Sequence, residues 1–183
     1  MEDRQIIELI NEDQLRQAFN LIVRQYGERL YWHLRRMVMV HEDADDLLQN
    51  VYIDIWNALP TFRGESSLFT WLYRIATNEA LTFLKKRRLV NLISFQDESV
   101  NVGRHLVADP LFEGDKVQLA VQKAIASLPP KQRTVFTMRY YDELRYEDMA
   151  EILGTSAGAL RASYHHAYDK VMEILRKELE GLD

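Results

Sequence analysis

DADDLLQNVYIDIWNALPTFRGESSLFTWLYRIATNEALTFLKKRR, residues 43–88, is the stretch whose reading decides the fold. Ala44, Leu47, Leu48, Val51, Tyr52, Ile55, Trp56 and Leu59 recur at i, i+3, i+4, i+7 and i+8. That period lays one apolar stripe along a helix. Asp43, Asp46, Gln49, Asn50 and Asn57 fall on the other side, and Pro60 stops the helix. A short loop around Gly64 follows, in which Ser66 or Ser67 is expected to cap the next helix by accepting an orphan backbone N–H. In that helix Phe69, Leu72, Ile75, Ala76 and Ala80 keep helical spacing, with Trp71, Tyr73, Arg74 and Asn78 around them, and it is expected to end in Lys85, Lys86, Arg87 and Arg88.

Working outward, residues 4–23 carry an amphipathic helical pattern with an interruption near Asn11. Tyr26-Gly27 reads as a kink or break. A further pattern through Leu30, Leu34, Met37 and Val38 puts Arg35 and Arg36 on its polar side. No alternation of period two marks a strand. Toward the C-terminus the periodicity fades between Leu89 and Asp115, where Gly103, Asp109-Pro110 and Gly114 punctuate the chain and mark a linker. Ile93 and Phe95 are expected to pin its start to the first domain. Helices follow near 117–128, at 131–141 behind Pro129-Pro130, at 146–153, and from Gly154-Thr155-Ser156 to about Glu180. The small Ala150 four residues before Gly154 gives a helix-turn-helix signature. The expected fold is all-α, with two small helical domains, 1–90 and 116–183, joined by a linker at 91–115.

Composition bounds the function. The 183 residues are 47% apolar and 28% charged, as in a folded globular chain. There is no cysteine, which excludes disulfides, thiolate metal sites and thiol nucleophiles. No apolar run has the length of a membrane span, and the acidic start lacks the features of a secretory signal, so the expected location is cytoplasmic. The net charge of −5 argues against strong unaided binding to nucleic acid. Residues 116–183 are balanced at ten cations and ten anions, so the deficit (13 minus 18) lies in residues 1–115, where Lys85–Arg88 interrupt it. Such a chain can hold DNA locally while a larger partner supplies most of the affinity.

The candidate chemistry is that of binding. Aromatics interleaved with Arg and Lys can stack on unpaired bases while cations hold phosphates. Phe62, beside the flexible Gly64, is either a core plug or a stacking surface. The clustered Asp residues at the start of the 43–59 helix suit the positive end of its dipole and lack the converging ligands of a metal site. His33, His41, His105, His165 and His166 show no ligand spacing. Neither a phosphate loop nor a nucleophile motif is present, so no enzyme, no metal and no cofactor are expected.

Together, DADDLLQNVYIDIW, FRGESSLFTWLYRIATNEA and LPPKQRTVFTMRYYDELRYEDMAEILG resemble the extracytoplasmic-function (group IV) sigma factors of bacterial RNA polymerase, over nearly the whole chain. The resemblance implies a subunit that directs promoter recognition and initiation. It gives Asp46, Gln49, Asn50 and Ile53 the docking of core polymerase. It gives Phe62, Arg63, Gly64, Ser66 and Ser67 the capture of a base flipped from the −10 element, with Asn78 near the pocket and Trp71 as a buried brace. Arg74, Lys85, Lys86, Arg87 and Arg88 would hold phosphates there, and the acidic linker with Asp97 and Glu98 would run through the polymerase's active-site channel. The −35 element would fall to the second domain through Arg145, Ser156, Arg161, Tyr164, His165 and His166. Many relatives are restrained by an anti-sigma factor competing for these faces.

Two departures stand out. The second recognition segment, SAGALRASYHHAYDKV, is poor in cations, which implies fewer phosphate contacts and a shallower salt dependence. Arg145 stands where relatives often have Ser or Thr as a cap. The competing reading is a helix-turn-helix regulator of duplex DNA without polymerase docking, which leaves residues 43–88 as mere packing.

Overall fold

The computed structural model describes residues 2–94 and 116–180, and all regular structure among them is helical. The elements are α1 (Glu2–Asn11), α2 (Leu15–Val38), α3 (His41–Ala58), a 3-10 turn (Leu59–Thr61), α4 (Leu68–Ser94), α5 (Lys116–Ala126), α6 (Pro130–Tyr140), α7 (Tyr146–Leu153) and α8 (Ala157–Glu180). Most of the expected 91–115 linker, with Phe95, Asp97, Glu98 and His105, lies outside the described residues, as does the Ile93 side chain. None of the described helices is long and apolar enough to cross a membrane.

The first half packs α1, α3 and α4 around α2. Ala44, Leu47, Val51 and Ile55 of α3 are buried against Ile22, Leu30 and Leu34 of α2 and Leu72, Ala76 and Ala80 of α4. The chain breaks between α1 and α2 at Asp13, which takes a left-handed φ of 58°. Tyr26-Gly27, by contrast, is no break: α2 runs straight through it. The physical reason is close approach. A Cβ on Gly27 would lie 2.6 Å from the Tyr52 hydroxyl of α3, so the glycine lets the two helices meet. Helix α4 also continues past Arg88 to Ser94, because a basic run carries no stop signal such as Gly or Pro.

Residue Arg35 departs from its expected polar side. It is buried, and its guanidinium donates to the Met39 carbonyl just past the helix end. Met39 takes a φ of 69°, a left-handed C-cap that turns the chain into α3.

In the second half α5, α6 and α8 enclose a smaller core, with α7 and α8 joined through Gly154 at φ 64°. The Gly154 N–H donates to the Ala150 carbonyl at 2.9 Å, closing α7 as the pattern of small residues suggests. The two halves are in contact. Val135, Met138, Leu144, Met149, Ile152 and Leu160 join the same apolar cluster as α2, α3 and α4.

Candidate nucleic-acid interface and docking face

The loop between the 3-10 turn and α4 is tied at both ends. Phe62 N–H donates to the Leu59 carbonyl at 3.2 Å, and Ser67 Oγ accepts from the Thr70 N–H at 3.1 Å, so Ser67 is the cap of α4. Between them Gly64 takes a φ of 70°, which a side chain would oppose. This arrangement frames a cavity of about 470 Å³ lined by Thr61, Phe62, Arg63, Glu65, Ser66, Trp71 and Arg74. Single small-molecule sites fall at roughly 300–1,000 Å³, and this cavity lies within that range.

Of the two readings of Phe62, the structure shows the core plug. Its side chain is nearly buried in the main core, and its ring meets Trp71 at 5.0 Å between centroids, forming the cavity's apolar wall. Trp71 is partly exposed rather than a fully buried brace. The rim carries Arg63 and Arg74 as cations and Glu65 as an anion. Asn78 is exposed one turn beyond Arg74 and is not among the lining residues.

The basic end of this helix divides. Lys85, Lys86 and Arg88 are exposed, whereas Arg87 is half-withdrawn into an ion pair with Asp43 of α3 at 2.5 Å. Hence a phosphate must compete with Asp43 for Arg87.

On α3, Asp46, Gln49, Asn50 and Ile53 are all exposed, and Ile53 keeps 58% of its surface open. Asn50 also donates to Glu79 of α4 at 3.3 Å. The sequence pattern misplaced Trp56. It is 44% exposed, one turn beyond Ile53, and only its edge packs on Phe19 at 5.4 Å. Its place at the margin of the apolar stripe was the available signal.

In the second half Ser156 caps α8, accepting the Ala159 N–H at 3.2 Å. Arg161, His165 and His166 are exposed along the helix, but Tyr164 turns inward and stacks on Phe136 at 5.8 Å. Two residues not singled out in the sequence complete this surface. The Tyr146 ring lies between the guanidiniums of Arg139 and Arg161, at 5.1 and 5.0 Å. Arg145 indeed makes no cap. It forms a two-pronged pair with Asp148 at 3.0 and 2.9 Å, and that hydrogen bonding holds the Asp148 carboxyl below its ordinary range. No group of three or more acidic or His side chains poised for a metal occurs among the described residues.

Comparison with known proteins agrees with this arrangement. A family model for region 2 of sigma-70 matches residues 22–90, and one for region 4 of sigma-70 matches residues 118–171. The chain is similar to the RNA polymerase sigma-H factor of Pseudomonas aeruginosa, with 30% identity over 97% of each chain. It is 33% identical to the ECF RNA polymerase sigma-E factor of Haemophilus influenzae, over 92% of this chain and 93% of that one. Among solved structures it resembles CnrH in complex with the cytosolic domain of CnrY, at a TM-score of 0.68 and 21% identity, covering 97% and 99% of the two chains. The sigma factor RpoE bound to the anti-sigma factor NepR from Bartonella quintana gives 0.63 and 22%, covering 89% and 97%. These two likenesses show the fold.

Proposed function

Because the chain belongs to the extracytoplasmic-function branch of the sigma-70 family, it is an RNA polymerase sigma factor that serves promoter recognition, and we propose how its surfaces divide that task. The 1–90 domain docks on core polymerase and opens the −10 element; the 116–183 domain reads the −35 element. The observation that carries this assignment is the cavity between Phe62, Trp71 and Arg74. Extruding a base from the stack costs a few kcal/mol, and a pocket offsets this by stacking and hydrogen bonds. Here the Phe62–Trp71 wall supplies the stacking surface, Ser66 and Thr61 supply hydroxyls, and Arg63 and Arg74 stand where the flanking phosphates pass. Lys85, Lys86 and Arg88 extend this track, with Arg87 joining when it leaves Asp43. Gly64 and Ser67 shape the loop, and Asn78 lies further along the strand's path.

Docking falls to Asp46, Gln49, Asn50 and Ile53, with Trp56 enlarging the apolar centre. Exposed aromatics flanked by polar groups are the usual anchors of such interfaces. On the second domain Arg161, His165 and His166 enter the major groove, while Arg145 and the capped N-terminus at Ser156 meet phosphate. Tyr164 supports this helix from beneath. The chemistry of RNA synthesis belongs to the polymerase, so this subunit is not an enzyme and works in the cytoplasm, where the polymerase is. An anti-sigma factor is a fitting regulator, since the docking faces are exposed.

Run-off transcription with purified core polymerase and a pool of genomic promoter fragments tests the assignment. Discrete start sites that require the protein are expected. Duplex binding without transcripts would favour the regulator reading instead.

A further inference from the structure

Tyr146 opens α7, and its ring touches the helices on either side in sequence. The side chain is half-buried at the edge of the main apolar cluster. The guanidinium of Arg139, from α6, lies 5.1 Å from the ring centroid, and that of Arg161, from α8, lies 5.0 Å from it. Both distances are inside the ~6 Å at which a ring's quadrupole attracts a cation. The two arginines differ in what else holds them. Arg139 is partly buried and donates to the Leu144 carbonyl at 2.9 Å, so it is tied to the segment that leads into α7. Arg161 is exposed, and among the described residues no carboxylate pairs with it. Arg145 makes the contrast plain, since Asp148 occupies its fork from both sides at 3.0 and 2.9 Å.

The segment that carries Arg161, SAGALRASYHHAYDKV, holds only one other cation, Lys170. Such a helix cannot gather affinity from many phosphates, so the aim of its one forward arginine matters more. An exposed arginine samples many rotamers, and ordering them opposes binding. A guanidinium that already rests on a fixed ring has given up part of that freedom beforehand. Unlike a carboxylate, the ring leaves the charge unneutralised. Reading guanine through its O6 and N7 takes a two-pronged contact, and a two-pronged contact depends on alignment.

We propose that Tyr146 is a positioning residue for promoter specificity: its ring, steadied by Arg139, aims Arg161 at a guanine edge in the major groove. This role deepens the −35 reading and rests on it. Tyr146 touches no base itself and acts through Arg161. The scarcity of cations on the recognition helix is then offset by one fork aimed in advance, in place of several loosely held charges.

The test titrates the full chain, bound to core polymerase, with promoters that differ at single −35 base pairs. Wild type is expected to prefer G·C at one position, and Arg161→Ala to abolish that preference. Tyr146→Leu keeps apolar bulk without a π face. It should cut the guanine preference about two- to fivefold, the usual strength of an exposed cation–π contact. Its salt slope should stay as in wild type, because no charge is removed. Tyr146→Phe should retain the preference, since the ring and not the hydroxyl makes the contact. Arg139→Gln, which leaves the ring but loosens it, should lower the preference in the same direction. That variant decides the matter if far-UV circular dichroism shows Tyr146→Leu to be misfolded, and an unchanged preference there overturns the role. A purely structural Tyr146 would weaken every −35 sequence evenly and leave the preference intact. That result overturns the positioning role, as does a phenylalanine variant that behaves like the leucine one. Failure of the −35 reading looks different: wild type then shows no preference at any position, or Arg161→Ala leaves it untouched.

Discussion

Arg74 shows how little a residue type says without its neighbours. In the sequence it is one cation among aromatics; in the molecule it is on the rim of the Phe62–Trp71 cavity and on a carbonyl of the other domain. Because it is exposed, Arg74→Ala should change stability by no more than about 0.5 kcal/mol. Loss of one phosphate contact should lower the slope of promoter affinity against salt by about 1, read from titrations with core polymerase. An unchanged slope removes Arg74 from the DNA path. Arg87 was equally plausible from sequence, yet Asp43 holds it. Ion pairs 44 residues apart leave no spacing for a reader to find. Tyr73 offers a pH test at this scale. Burial, and then the Asp142 carboxylate, hold its phenol protonated up to about 12, against an ordinary 10.0. An unfolded chain releases that proton near 10.0, so this contribution to stability is intact below pH 10.0 and is lost as the pH rises toward 12. In a phenolate absorbance titration, Tyr73→Phe should remove one group from the late phase. If it removes one from the early phase instead, the buried environment is wrong.

At the scale of elements, helix positions were largely legible because α1, α3, α6 and α7 have strong punctuation: Asn11, Pro60, Pro129-Pro130 and Gly154. What the pattern left open was which edge of each stripe is covered. Ala44, Leu47, Val51 and Ile55 form the buried seam of α3, while Leu48 and Tyr52 are only partly covered and Trp56 is open. Periodicity gives the centre of a face; its width depends on the neighbour's diameter. The same limit hid the role of Gly27, whose meaning lies in Tyr52. Gly27→Ala alone should give less than the roughly 1 kcal/mol gain expected for glycine replacement inside a helix, because the new methyl meets the hydroxyl. In a Tyr52→Phe background more of that gain should appear in urea denaturation; equal effects in both backgrounds would refute the contact. On the exposed side, Asp46→Ala with Gln49→Ala should fold normally and bind core polymerase more weakly. Wild-type affinity would move the docking face elsewhere.

For the whole molecule, the two-domain layout was visible from the shift in composition at the linker, and the contact between domains was not. His33, Met37 and Met39 meet residues about a hundred positions away, and nothing in a local pattern announces such a meeting. One apolar cluster spans both halves, so equilibrium unfolding of wild type should be a single transition by fluorescence and circular dichroism. Asp142→Ala should separate the two probes, each domain then melting on its own. Coincident curves in that variant would mean the cluster alone couples them.

Between Met39 and the first residue of α3 lies only Val40. The residue buried in the second domain's core and the helix that carries the proposed docking residues are therefore consecutive pieces of one chain. If a shift at one end biases the other, the coupling runs both ways by thermodynamic necessity: a partner held on α3 and the seating of Met39 in the second domain change each other's equilibrium by the same factor.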